Sequence, residues 1–291
     1  ITHHPIIFES IKKINDSTIL GKKILKLIKN GINVYSAHTN LDSAKDGLNN
    51  YIAQKLLAKD TKIMDENFYS VYKMNIFVSK SILAEVLSIL NGSRELEFLE
   101  YKRVTYTSKV TERVLVNNEI KELDSYNIQI MGEKNKLYSI LNKIREKHSI
   151  SEIAFEILPL ENKHKTGTGL GRFFKLENPM SLEEYIIFVK DKLNLDFVKV
   201  VKANDKLIKK VAIVNGSGAE FWKKAYDMGA DVFITGDFKY HNALDAYEKG
   251  LNIVDIGHYE AEHFFYEIII KKLDDNLRVE VYNEKRILEI K

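Results

Sequence analysis

The last third of the chain alternates short apolar runs with helical stretches, and few architectures accommodate that rhythm. Residues 210–214, 231–235 and 252–256 read as strands, each closed by a polar, glycine-bearing turn and followed by a helix. Those helices end near Gly229, run over 242–249 to a stop at Gly250, and span 258–272. Ser181 with Glu184 has the spacing of a capping box and opens a helix reaching about residue 195. The opening of the chain follows the same grammar. Asp16-Ser17-Thr18 caps a helix carrying Leu20, Ile24, Leu27 and Ile28 at helical spacing, with Gly31 as its stop. A strand over 32–37 and a helix over 41–57 follow, and Asn40 or Asp42 could cap the latter. The expectation is an α/β main domain, layered, with a mostly parallel sheet.

The middle of the chain differs. Strands are expected over 72–79, 95–107, 110–116, 126–131 and 152–158, with helices over 82–90 and 136–147. That order is β-α-β-β-α-β with one additional strand, the ferredoxin-like α+β signature. The simplest parsing is a main domain of residues 1–68 plus 166–291, interrupted by an inserted domain over 69–165. Insertion into a surface loop costs little when its ends lie close together. Gly167-Thr168-Gly169-Leu170-Gly171-Arg172 then reads as the hinge leading back, since no strand–loop–helix context makes it a phosphate loop.

Lys and Arg number 44 against 41 Asp and Glu, a net charge of +3 over 291 residues, too even for a nucleic-acid-coating or polybasic membrane protein. No apolar run approaches the length of a membrane span. The chain opens on Ile1-Thr2-His3-His4-Pro5 rather than Met and reads like the interior of a strand, so a preceding segment is expected to be missing. With no secretory signal pattern, a cytoplasmic protein is expected. The absence of cysteine removes disulfides, thiolate metal sites and cysteine nucleophiles together. The 8 His, with Asp and Glu, leave a hard-ligand metal site open.

Three strand-to-helix junctions carry such residues. His3 and His4 adjoin at the end of an apolar run, and neighbouring strand side chains face opposite ways, so both serve one centre only where the strand ends or bends. A tag remnant or an incidental surface pair is the ordinary explanation of His-His, but the flanking Ile-Thr and Pro-Ile-Ile-Phe argue against a tag. His38-Thr39-Asn40-Leu41-Asp42 lies where open α/β sheets place ligands, at the carboxyl end of a strand. In Gly257-His258-Tyr259-Glu260-Ala261-Glu262, His258 and Glu262 are i and i+4 on one helical face, which His263 and Glu260 do not share. Each junction alone is explained by capping or by a surface pair. Together they give His3, His4, Asp42, His258 and Glu262 with His38 alongside, too many ligands for one tetrahedral zinc and enough for two ions such as Zn, Mn or Fe. Asn215-Gly216-Ser217-Gly218 is a tight turn or a phosphate cradle. Thr235-Gly236-Asp237, Tyr240 and His241 could add polar contacts to the same crevice.

The stretches I-T-H-H-P-I-I-F, S-A-H-T-N-L-D-S-A, V-N-G-S-G, A-D-V-F-I-T-G-D with Tyr240-His241, and I-G-H-Y-E-A-E resemble the motif set of the GTP cyclohydrolase 1 type 2 homologue family, the NGG-interacting-factor-3-like dinuclear-metal proteins. The resemblance implies metal ligation by His3, His4, Asp42, His258 and Glu262, two divalent ions per chain, and a place for His38 in or beside the ligand shell, where it is the candidate catalytic residue. It also implies a toroidal hexamer and an insert similar to PII proteins. Members carry a strand–helix unit ahead of H-H-P that this chain lacks, and their H-P-Y-E motif stands here as His148-Ser149-Ile150-Ser151. The implied function is a metal-dependent hydrolase acting on a nucleotide-like or phosphate-bearing small molecule. A non-catalytic metal-binding scaffold or chaperone, with a ligand-sensing insert, is the alternative.

Overall fold

The computed structural model describes residues 1–98, 101–102, 104–148 and 153–282. Two compact units emerge, Ile1–Asn67 with Gly167–Lys291, and Phe68–Thr166. In chain order the elements are α1 (Ile19–Lys29), α2 (Thr39–Ser43), α3 (Leu48–Lys55), β1 (Thr61–Ser79), α4 (Leu83–Gly92), β2 (Glu97–Phe98), β3 (Tyr101–Lys102), β4 (Thr105–Val116), β5 (Glu119–Gly132), α5 (Lys134–His148), β6 (Phe155–Met180), α6 (Leu182–Leu193), β7 (Lys199–Val201), β8 (Ile208–Ile213), α7 (Trp222–Asp227), β9 (Val232–Thr235), α8 (Tyr240–Lys249), β10 (Asn252–Asp255), α9 (His258–Glu262) and α10 (Phe265–Ile270). The long strands β1 and β6 each belong partly to one unit and partly to the other.

In the first unit β6, β8, β9, β10 and β7 lie side by side in that order. β8–β9 and β9–β10 are parallel, as their helical crossovers require. β6 pairs antiparallel with β8, and β7 antiparallel with β10. The sheet is therefore mixed rather than mostly parallel, because a strand returning from the insert and a short edge strand flank the parallel centre. Side-chain alternation divides this sheet between two cores. Val211, Ile213, Val232, Ile234 and Val254 pack with Leu48, Ile52, Tyr185, Val189 and Ile268 on one face. Ala212, Val214, Phe233 and Ile253 pack with Trp222, Ala225 and Ala246 on the other. Every residue of β9 and β10 is buried, which a sheet covered on both faces demands.

In the second unit α4 and α5 cover one face of the sheet: Val86, Leu90, Leu137, Ile140, Leu141 and Ile144 meet Met74, Ile76, Val78, Ile128 and Ile130. The strand order is β4-β5-β1-β6, the arrangement expected of a β-α-β-β-α-β chain, with β1–β5 and β4–β5 antiparallel. The single strand expected over 95–107 is instead a 3₁₀ turn at Arg94–Leu96, the pair β2–β3 and the start of β4. Residues 149–152, which include most of the divergent His148-Ser149-Ile150-Ser151 stretch and the start of the strand expected over 152–158, lie outside the described residues.

Local departures from the sequence expectations have physical causes. Residues 32–37 make one parallel bridge, Thr2 to Ser36, rather than a full strand. The helix expected over 41–57 is broken between α2 and α3, where Ala44 is extended and the chain folds back on itself. A Cβ on Gly47 would lie 1.7 Å from the Leu41 carbonyl oxygen, so only glycine permits that return. The buried Arg172 guanidinium donates to the Ala44 oxygen at 2.8 Å and to the Gly169 and Gly171 oxygens at 2.9 and 2.8 Å, tying the break to β6. The glycine-rich stretch expected as a hinge is thus part of β6 itself. The helix expected over 258–272 is interrupted at His263, giving α9 and α10.

The capping box on α6 is present: Ser181 Oγ accepts from the Glu184 amide at 3.2 Å, and the Ser181 amide donates to Glu184 Oε2 at 2.8 Å. Replacing the cap in Ser181→Ala is expected to cost about 1 kcal/mol of stability. Chemical denaturation checks this as a lower midpoint with an unchanged slope.

Candidate metal centre

The His-His pair works because it follows the Thr2 bridge, where the chain bends instead of continuing as a strand. Both imidazoles reach the same place, with ring centroids 5.2 Å apart. His3 is buried, and its Nδ1 lies 2.7 Å from the Ala37 carbonyl oxygen. A carbonyl only accepts, so Nδ1 carries the hydrogen and Nε2 is left facing inward. Asp42, in α2, accepts from Asn215 Nδ2 at 2.8 Å and does not cap the helix; the cap position falls on His38, whose side chain makes no capping bond. His38 instead turns its ring to within 5.1 Å of His3 and 5.2 Å of His4.

His258 opens α9 and Glu262 closes it, one turn apart. Asp237, beyond the end of β9 and held at φ +53°, places Oδ2 2.7 Å from His258 Nδ1 and so fixes that imidazole's tautomer. Glu262 is almost fully buried, and its two oxygens face different neighbours. Oε2 lies 3.1 Å from both His4 Nε2 and His258 Nε2. Oε1 lies 3.5 Å from His3 Nε2, which is itself 3.7 Å from Asp42 Oδ1. All six sequence-expected residues thus converge. Tyr240 stands exposed against His241, and His263 stacks on Tyr259.

The charges are strongly coupled. Contact with Glu262 pushes His258 up to about 9 against the opposing effect of burial, with Asp237 adding to it. Burial works to raise Glu262, but His258 and His3 outweigh it and hold the carboxyl down to about 2. Burial lowers His4, reinforced by the neighbouring imidazoles against Glu262, and burial raises Asp42.

The donor set fits a metal ion on this geometry alone. His3 Nε2 is buried without a hydrogen-bond partner, a costly condition that a bound cation relieves, and Glu262 Oε2 is buried between two imidazole nitrogens at 3.1 Å. With Nδ1 carrying the hydrogen, a neutral His3 presents an Nε2 lone pair toward two carboxylates, which only a second proton or a cation makes favourable. Two groups of side chains, His3/His4/His38 and His4/His258/Glu262, bring potential ligand atoms within 4.8 Å of one another. Imidazole and carboxylate donors suit Zn, Mn or Fe.

The glycine turn after β8 is not a free phosphate cradle. The Asn215 amide donates to Asn49 Oδ1 at 2.9 Å, the Gly218 amide donates to Thr235 Oγ1 at 3.0 Å, and the Gly216 carbonyl accepts from the Gly236 amide. Two amides that a phosphate cradle would need are spent inside the fold, as a tight turn requires. Asn49 was invisible to motif reasoning, since a single amide on an otherwise apolar helix face carries no spacing signal.

The class is therefore an α/β protein whose strand ends gather imidazoles and carboxylates able to hold a metal ion. The Duf34/NIF3 (NGG1p interacting factor 3) family model matches residues 1–287, and the chain belongs to that family. It is 34% identical over 284 residues to a Bacillus subtilis protein named GTP cyclohydrolase 1 type 2 homolog, covering 94% of this chain and 76% of that one. A solved Bacillus cereus protein related to NIF3 superposes with a TM-score of 0.70 at 30% identity, covering 96% of this chain and 81% of the other. A solved Staphylococcus aureus protein gives a TM-score of 0.72 at 26% identity over 99% and 82%. No helix among the described residues is long and apolar enough to cross a membrane.

The coupled charges predict an unusual stability profile for the chelator-treated protein. His258 is raised, so its contribution is complete below its ordinary value of 6.5 and is lost as pH rises through about 9. Glu262 is depressed, so its contribution is complete above its ordinary 4.5 and is lost only as pH falls toward 2. Thermal melts in chelator should show stability declining between pH 6.5 and 9, and Asp237→Asn should shallow that decline.

Proposed function

We propose that the cluster is a dinuclear divalent-metal centre and that the protein is a metal-dependent hydrolase. The observation that carries this is the division of the Glu262 carboxylate, with Oε1 toward His3, whose Nε2 also faces Asp42 Oδ1, and Oε2 toward His4 and His258. Two half-sites sharing one carboxylate match what a pair of ions requires. His3, Asp42 and Glu262 would hold one ion, and His4, His258 and Glu262 the other. Such a pair lowers the pKa of water toward neutrality and polarises a carbonyl or phosphoryl oxygen.

The chain's own residues supply the remainder. Asp237 and the Ala37 carbonyl hold two imidazoles with Nε2 turned inward. His38, beside both His3 and His4 and only partly buried, is placed to accept or release a proton at its ring nitrogen. Phe8 is 75% exposed with its ring 6.0 Å from that of His38, a face on which a planar ring could stack. A nucleotide-like or other phosphate-bearing small molecule is the substrate class, in keeping with the name of the curated relatives. Family resemblance makes the working form a toroidal hexamer with a PII-like insert, acting in the cytoplasm.

Metal analysis of the purified protein is expected to find about two divalent ions per chain. Glu262→Ala should retain neither while keeping the circular dichroism of the chelated parent. A screen of nucleotides, phosphoesters and cyclic amides should give turnover that chelator abolishes and Zn, Mn or Fe(II) restores. His38→Ala should keep both ions but lose most of that turnover. Full turnover in His38→Ala removes His38 from the chemistry, and a metal-replete protein inert to every substrate class favours the scaffold alternative.

A further inference from the structure

Beside the cluster lie two buried amides, Asn49 and Asn215. Asn49 is fully buried; its Nδ2 donates to the Asp42 backbone oxygen at 3.1 Å and its Oδ1 accepts from the Asn215 amide at 2.9 Å. Asn215, also buried, reaches from the turn after β8 to donate Nδ2 to Asp42 Oδ1 at 2.8 Å. The orientation of that amide is fixed by charge, because its oxygen would repel the carboxylate. Asp42 is therefore held at both ends, backbone and side chain, by two asparagines more than 160 residues apart in sequence. The next residue meets the other carboxylate. Gly216 has φ +60°, and a Cβ there would lie 2.2 Å from Glu262 Oε1.

We infer that Asn49, Asn215 and Gly216 are positioning residues that set the gap between Asp42 and Glu262, so that the turn after β8 acts as a spacer for the centre. This rests on the dinuclear reading above. Two carboxylates drawn from α2 and α9 would otherwise repel and drift apart whenever no cation lay between them. Asn215 restrains the first, while the missing side chain at 216 admits the second. The chemistry also explains why a turn resembling a phosphate loop has its amides turned inward.

Zn2+ titration against a chromophoric chelator, resolved into two binding steps, tests the inference. Asn215→Ala should weaken one step by about 10- to 100-fold, the usual effect of losing a partner behind a ligand, and leave the other within a few-fold of the parent. Gly216→Ala displaces the far end of a flexible side chain shared by both half-sites, so both steps should weaken. Melting in excess chelator serves as the control: both variants should stay folded but melt below the chelated parent, Gly216→Ala through strain at φ +60° and Asn215→Ala through the lost bond to Asp42, whereas a purely structural role for Asn215 would weaken both steps together. Parent-like affinity in both variants, or a uniform loss in Asn215→Ala accompanied by collapse of the metal-free melt, overturns the inference. Failure of the parent protein itself to take up Zn2+ at the cluster overturns the dinuclear reading, a separate outcome read from the parent alone.

Discussion

A nearly buried carboxylate in contact with three imidazoles is an expensive arrangement, and the surrounding structure exists to make it tolerable. Glu262 survives in its charged form because His258 and His3 outweigh the burial that opposes it. Removing a charge from water costs several kcal/mol unless a partner compensates, and here partners come from both ends of the chain. The N-terminal bend supplies His3 and His4, and the short helix α9 supplies His258 one turn below Glu262. Each of these is fixed in turn: His3 by the Ala37 carbonyl, His258 by Asp237.

The fold delivers these groups by a simple route. β8, β9 and β10 run parallel, so their carboxyl ends emerge on one edge. The turn after β8 carries Asn215 and Gly216, the segment after β9 carries Asp237, and the segment after β10 carries His258. The break between α2 and α3, tied down by Arg172, brings Asp42 and Asn49 to the same edge. A continuous helix over 41–57 would have left no reversal of the chain at Gly47, where the backbone passes within van der Waals contact of Leu41.

Much of this was legible in the residues. The parallel centre announced itself through three apolar runs with glycine-bearing turns, and α6 through Ser181 and Glu184. The six cluster residues came from motifs at strand-to-helix junctions, and the structure brings them together. What escaped was set by tertiary contacts. The mixed character of the sheet depends on β6 and β7 pairing antiparallel, which no local pattern encodes. The break at Gly47 depends on a close approach to Leu41, and the single bridge at Ser36 on a partner strand only one residue long. The Asn215–Gly218 turn stays open between tight turn and phosphate cradle for a related reason: a glycine turn looks alike whether its amides face an anion or a neighbouring asparagine. Asn49 gave no signal at all.

The central claim is that one carboxylate is shared between two cation sites. Anomalous scattering from crystals of the Zn- or Mn-loaded protein, recorded on either side of the metal edge, tests it directly. Two peaks about 3.5–4 Å apart, flanking the Glu262 side chain with Asp42 beside one and His258 beside the other, are the predicted result. A single peak, or density that leaves Glu262 uncoordinated, would contradict it.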